Sequence, residues 1–388
     1  MRRWSLATIL LGAALLPALP AAAGPGPAPV IGGTAVPEGT WRDTAAVLFG
    51  GEQGCTGVLV APTVVVTAGH CADPAEGDLP DGVLLGTNSL ARPSAGETID
   101  LTKVVMHPGG VYDIAVLVLA QPSTIEPRRL ATGWVQSDVI DGAPVAFVGY
   151  GSIDRDGDVY IDELQQAAST VTDAGCNRHR GCDPRARPSG EIGAGGGGID
   201  TCPGDSGGPM YLTTAYGAFV VGITSRGYDD NQFFCSEGGI YVRPDKDELV
   251  AWIEQEGGVQ LPVGRGPRTD DFTVDSDGST TVTVDADDPR MGGTHSFEIA
   301  TQPAHGTAVI GADGRLQVTA AADYTGPDAV VVRAVDTIDQ SRSARGRISY
   351  QVVEGGGCCQ TGGGRGEIAP ALLGLALLLR RRRRGDAA

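Results

Sequence analysis

Cys202-Pro203-Gly204-Asp205-Ser206-Gly207-Gly208-Pro209 is the stretch on which the reading of this chain turns. It sets a serine in a glycine-rich turn. A hydroxyl is a weak nucleophile until a base takes its proton, so the turn invites a search for that base. Thr67-Ala68-Gly69-His70-Cys71 places a histidine directly after the apolar run Val64-Val65-Val66, and Asp113 heads a second run, Ile114 to Leu119. A histidine takes protons near neutral pH, and a buried carboxylate fixes its tautomer and stabilises its cation. Alone, each segment has a plain structural reading as a post-strand histidine, a strand cap or a turn. All three together, in the order His, Asp, Ser, point to one site.

Around these segments the chain reads as β-rich. It has 388 residues, which suggests two or three domains. Aromatics are 5% and glycines number 59, a balance that favours strands and loops over helices. Short apolar runs at Val58-Leu59-Val60, Val64 to Thr67, Ile114 to Leu119, Val145 to Val148 and Phe219 to Ile223 are separated by Gly and Pro. That spacing predicts a barrel or a sandwich. Leu249, Val250, Trp252 and Ile253 form an apolar stripe over Asp247 to Gln255, which predicts a helix ended by Gly257-Gly258. The net charge of −18 sets nucleic acid aside as a partner, because phosphate would be repelled.

The order and wording of these motifs resemble the trypsin/chymotrypsin family of serine proteases, over residues 30 to about 257. The resemblance implies two packed six-stranded antiparallel β-barrels with a C-terminal helix and an active site in the cleft between them. It implies His70, Asp113 and Ser206 as the catalytic triad, and the main-chain N–H groups of Gly204 and Ser206 as the oxyanion hole. Cys55 and Cys71 match the family's bridge beside the histidine, and Cys202 with Cys235 would brace the specificity pocket. Cys176 lacks its usual partner, because Ile192-Gly193-Ala194-Gly195 holds none, so Cys182 is the available substitute. Asp200 falls at the pocket floor, where a carboxylate pairs with a substrate Arg or Lys; turned away from the pocket, it would leave a protease of non-basic specificity. Gly227 and Gly239 match the walls and would leave the pocket open to long side chains. Ser225-Arg226-Gly227 departs from the family's Ser-Trp-Gly, so Arg226 is expected to weaken apolar preference upstream of the cut and to favour acidic residues there. No metal or cofactor is expected. Asp154-Arg155-Asp156-Gly157-Asp158 only superficially resembles a calcium loop, its glycine standing one place too early.

The same resemblance implies activation by a cut before Val30, whose new ammonium would pair with Asp205. Residues 24–29 are three X-Pro dipeptides, Gly24-Pro25, Gly26-Pro27 and Ala28-Pro29, suited to stepwise removal by a dipeptidyl peptidase. Residues 1–23 read as a secretory signal peptide: Arg2 and Arg3, an apolar run from Trp4 to Leu19, then Ala21-Ala22-Ala23. Export would permit the disulfides.

Residues 258–267 read as a linker rich in Gly and Pro. Residues 268–354 hold further strand patterns, among them Thr281 to Asp285, Ser296 to Ile299, Gln302 to Val309, Ala322 to Asp328, Val330 to Asp336 and Ile348 to Val353. They resemble bacterial cadherin-like or immunoglobulin-like sandwiches, with a spacer or adhesion role. Asp285, Asp287 and Asp336 read more simply as a solvated acidic surface than as a calcium site, and His295 and His305 as structural. The tail, 355–388, resembles myxobacterial sorting signals: Cys358-Cys359, a short apolar stretch, then Arg380 to Arg384. Expected partners are therefore protein or peptide substrates, a signal peptidase, an X-Pro dipeptidyl peptidase and a sorting protease, with display at the cell surface.

Overall fold

Alternation of apolar and polar residues between Gly and Pro turns produces short strands that bury one face. The computed structural model describes residues 29–262, 264–286, 293–340 and 342–355. The signal-like segment, the spacer up to residue 28, Asp287, and the tail with Cys358 and Cys359 lie outside the described residues.

A two-residue strand β1 (Thr34–Ala35) precedes the first barrel. That barrel is built from β2 (Thr44–Phe49), β3 (Glu52–Ala61), β4 (Val64–Thr67), β5 (Gly82–Leu85), β6 (Glu97–Met106) and β7 (Ala115–Leu119). They close in the order β2-β3-β4-β7-β6-β5. The second barrel uses β8 (Pro144–Gly149), β9 (Gln165–Asp173), β10 (Glu191–Ala194), β11 (Pro209–Thr214), β12 (Gly217–Gly227) and β13 (Gly239–Val242). It closes because β8 pairs with both β9 and β11, while β1 adds to the free side of β9. Every pairing in both barrels is antiparallel. Both are filled by the predicted runs: Val58, Val64, Val65, Val66, Ile114, Val116, Phe147, Val221 and Ile223 are all fully buried.

The barrels are joined by a polar clamp. Asp43, before β2, accepts two bonds from Arg128 (3.1 and 2.7 Å) and one from the Tyr211 hydroxyl of β11 (2.6 Å). The Trp41 ring stacks on Tyr211 at 4.2 Å. The helix Asp247–Gly257 follows, burying Leu249 and Ile253; Val250 and Trp252 are only partly covered. Gly258, in the left-handed region, caps it.

The C-terminal unit is a sandwich of β14 (Thr273–Asp275), β15 (Ser279–Thr283), β16 (His295–Thr301), β17 (Gly306–Ile310), β18 (Arg315–Ala320), β19 (Gly326–Asp336) and β20 (Ser343–Val353). One sheet runs β14-β20-β19-β16 and the other β15-β18-β17. Val274, Leu316, Val318, Val330 and Val332 meet between them. Two expectations need correction. Neither Gln302 to Val309 nor Ala322 to Asp328 is strand throughout: the strands begin only at Gly306 and at Gly326. The described residues of the Gly/Pro-rich segment 258–267 make contacts of their own. Its Arg265 carbonyl accepts the Trp134 main-chain N–H at 2.6 Å. Trp134, fully buried, packs on Ala334 and Ala344 of the sandwich, and Arg342 pairs with Asp138 at 3.0 Å.

Candidate active site

His70 and Asp113 meet because of strand register. β4 and β7 are antiparallel neighbours with Thr67 opposite Ala115, so the residues just beyond them share one end of the barrel. His70 Nδ1 lies 2.9 Å from Asp113 Oδ2, and the His70 main-chain N–H donates to Asp113 Oδ1 at 2.8 Å. The Ser225 hydroxyl donates to Asp113 Oδ2 at 2.7 Å. Burial works against the charged imidazolium, yet the hydrogen bond and charge of Asp113, helped by Glu76, raise the His70 pKa. Burial likewise opposes the Asp113 carboxylate, but the bond to His70, its charge, and the Ser225 and main-chain donors hold that pKa below the ordinary value. The Cys55–Cys71 disulfide ties β3 to the His70 turn.

Ser206 comes from the second barrel. Close approach places it: a Cβ on Gly207 (φ +80°) would sit 2.0 Å from Thr67 Oγ1 and 2.5 Å from the Ala68 nitrogen. Only glycine lets the turn lie this tightly against the strand that feeds His70. The Thr56 N–H donates to the Ser206 carbonyl at 2.9 Å. The neighbouring carbonyls are all held. Pro203 O accepts from Ser152 N–H (2.8 Å) and Asp205 O from Gly208 N–H (2.7 Å). A planar trans peptide aims its N–H opposite to its carbonyl, so the N–H groups of Gly204 and Ser206 are oriented by these bonds. Neither has a partner among the described residues. The Gly204 carbonyl is fixed in turn by Gln53 Nε2 (3.1 Å) and Thr56 Oγ1 (2.7 Å). Cys71 Sγ, next to His70, lies 3.8 Å from the Ser206 carbonyl. A serine hydroxyl, a carboxylate-backed imidazole and two donors without a partner among the described residues are the groups needed for attack on a carbonyl and retention of the resulting oxyanion.

The cleft, of about 630 Å³, is lined by Thr201, Ser206, Ser225, Arg226, Gly227 and Asn231, among others. Asp200 is not on that lining and is 2% exposed. Its Oδ2 accepts N–H groups of Ser236, Glu237 and Gly238 at 2.9, 3.1 and 3.0 Å, and its Oδ1 that of Thr201 at 2.8 Å. Burial pushes its pKa up to about 6 despite these bonds. The disulfide Cys202–Cys235 lies beside it, and Cys176–Cys182 closes a loop of its own. Gly227 and Gly239 do not both face open space. A Cβ on Gly239 would meet the Arg226 carbonyl at 2.8 Å, and one on Gly227 would meet Asn231 Nδ2 at 3.2 Å.

Asp205 is fully buried, accepting N–H bonds from Gly151 (2.8 Å) and Cys202 (2.9 Å). Burial pushes its pKa to about 7, with the charge of Asp200 adding to the rise. Val30 is also fully buried, with Val135, Phe147 and Ile192 in the same core cluster. Its backbone sits at φ +33°, costly for a β-branched residue. The Ile31 carbonyl accepts the Asp200 N–H at 3.3 Å.

Arg226 reaches inward more than its sequence context suggested. Its guanidinium donates to Glu191 Oε1 (2.7 Å), the Gly181 carbonyl (2.7 Å) and Ser225 Oγ (3.0 Å). Glu191 is 2% exposed and takes the Asp183 N–H on its other oxygen. The positive charge expected to face acidic substrate residues is thus met within the chain. Sequence reasoning missed Glu191, Gln53 and Asn231. The first two act through long-range pairing that leaves no local pattern. Asn231 carried a faint signal in the seven-residue stretch between Gly227 and Cys235.

Among the described residues, no helix is long and apolar enough to cross a membrane. The chain is 34% identical over 213 residues to glucanase inhibitor protein 4 of Phytophthora infestans, covering 51% of this chain and 79% of that one. It is 32% identical over 197 residues to a trypsin of Saccharopolyspora erythraea, covering 47% and 79%. Serine protease 56 of Homo sapiens is 31% identical over 195 residues, covering 47% of this chain but 31% of its own length. The solved structure of mouse neuropsin, a serine protease, aligns at a TM-score of 0.46 and 24% identity, covering 57% of this chain and 97% of that one. A bacterial Ig domain family matches residues 260–361. The Trypsin family matches residues 30–253, more than half of the chain, and this protein belongs to the trypsin family of serine endopeptidases.

Proposed function

We propose that this chain is a secreted endopeptidase that cuts after Arg or Lys once Val30 is freed. The observation that carries the reading is the His70–Asp113 pair, with two N–H groups around Ser206 left for an oxyanion. Ser206 Oγ attacks the scissile carbonyl as His70 Nε2 takes its proton. The imidazolium is stabilised by Asp113, and the Gly204 and Ser206 N–H groups hold the tetrahedral oxyanion. His70 then protonates the leaving amine, and water, deprotonated by the same imidazole, releases the acyl group.

Asp200 supplies the negative charge for a basic substrate residue, and three disulfides suit an oxidising compartment. A cut at Pro29–Val30 relieves the strained Val30 backbone and frees an ammonium to pair with buried Asp205. The domain division at 30–257, 258–267 and 268–354, and surface display through the tail, belong to the same reading. Fluorophosphonate labelling of the Val30-started chain tests it: Ser206 is labelled, Ser206→Ala is not, and fragments of a denatured proteome end in Arg or Lys. No labelling in the wild type refutes the enzyme reading.

A binding protein is the second reading, favoured by the inhibitor names of Phytophthora relatives that are 34% and 30% identical. The same labelling separates the two.

A further inference from the structure

We propose that Asn231 is a specificity-determining residue that closes the primary pocket over Asp200. This rests on the reading of Asp200 as the group that recognises the substrate side chain.

Three observations converge on it. The space in front of Gly227 is occupied by Asn231 Nδ2, which lies 3.2 Å from where a Cβ would stand. The same nitrogen donates to the Gly238 carbonyl at 3.0 Å. Gly238 in turn donates its N–H to Asp200 Oδ2. The carboxamide therefore spans from one pocket wall to the segment that wraps the recognition carboxylate. Asn231 lines the cleft together with Ser206, while Asp200 does not. A glycine pair that would otherwise admit a long side chain has its opening filled from within the molecule.

The segment that carries Asn231 is held at both ends. Tyr228 is buried, its ring stacked on His179 at 4.0 Å, and Glu237 accepts the N–H groups of Gln232 and Phe233. Between these anchors the Asn231 N–H donates to the Tyr228 carbonyl at 3.3 Å and holds the main chain, while its carboxamide makes one hydrogen bond, so the side chain can rotate outward without unfolding its loop. With the carboxamide in place the cleft takes short side chains. A substrate Arg or Lys reaches Asp200 only by displacing it, and so binds at the expense of the Gly238 bond.

The test compares kcat/KM for peptide amides with Arg or Ala before the cut, using the full chain processed to start at Val30. Asn231→Gly raises the Arg-to-Ala ratio at least tenfold, chiefly through a lower KM for Arg. Asn231→Gln, with a longer carboxamide, lowers the ratio. Ratios within twofold of wild type in both variants, with Ser206 still labelled by fluorophosphonate, overturn the role of Asn231 alone. Absence of labelling in the wild type overturns the protease reading, and this proposal with it.

Discussion

At the residue scale, the buried Glu191 carboxylate shows how one substitution reorganises a site. Arg226 neutralises it and also holds the Ser225 oxygen, leaving the Ser225 proton to Asp113. Arg226→Ala strands a buried charge, and a loss of about 1–3 kcal/mol in unfolding free energy is expected. Denaturant titration checks this; an unchanged midpoint means the pair is idle. Proton uptake sets a second expectation. His70 serves as a base only when neutral, and its pKa is raised. The acid limb of kcat/KM should therefore lie above the ordinary histidine value of about 6.5. On the proposed activation route the freed Val30 amine must stay protonated, so activity should also fall at high pH. An acid limb at or below 6.5 would contradict the His70–Asp113 coupling.

At the element scale, the turn 202–209 is held by its contacts with the first barrel. Gly207→Ala drives a methyl into Thr67 and the Ala68 backbone at a positive φ. Strain of about 1–3 kcal/mol is expected there, with slower labelling of Ser206. Wild-type labelling rates in that variant would show that the turn has room to spare. The β4–β7 pair works by a similar logic of register. A one-residue slip would exchange the faces of Val64, Val65 and Val66, all of them buried, and offset the strand ends, so the packing of both faces also aligns His70 with Asp113.

At the scale of the whole molecule, the sandwich is docked rather than tethered. Trp134 belongs to the protease half in sequence, yet it packs against Ala334 and Ala344. Trp134→Ala should cost about 3–5 kcal/mol and separate the unfolding of the two halves into distinct transitions. A single transition at the wild-type temperature would show that the contact carries no coupling. Such docking fixes the direction in which the sandwich extends from the protease.

The sequence by itself determined a strand-rich barrel or sandwich and the C-terminal helix, and its motifs, through the family they resemble, implied two barrels and the candidate triad. Strand periodicity, Gly/Pro punctuation and the motifs around His70, Asp113 and Ser206 are local, and local patterns survive in a linear text. The cysteine partners were legible too, by resemblance and by the lack of another partner for Cys176. Tertiary structure alone decided the rest. Arg226 turns to Glu191, 35 residues away, because a buried carboxylate demands a cation. Arg265 is held because Trp134 needs a covered apolar surface, and Asn231 Nδ2 lies in front of Gly227 because a glycine there leaves room for it. Each depends on which surfaces meet after folding, and no stretch of sequence records that.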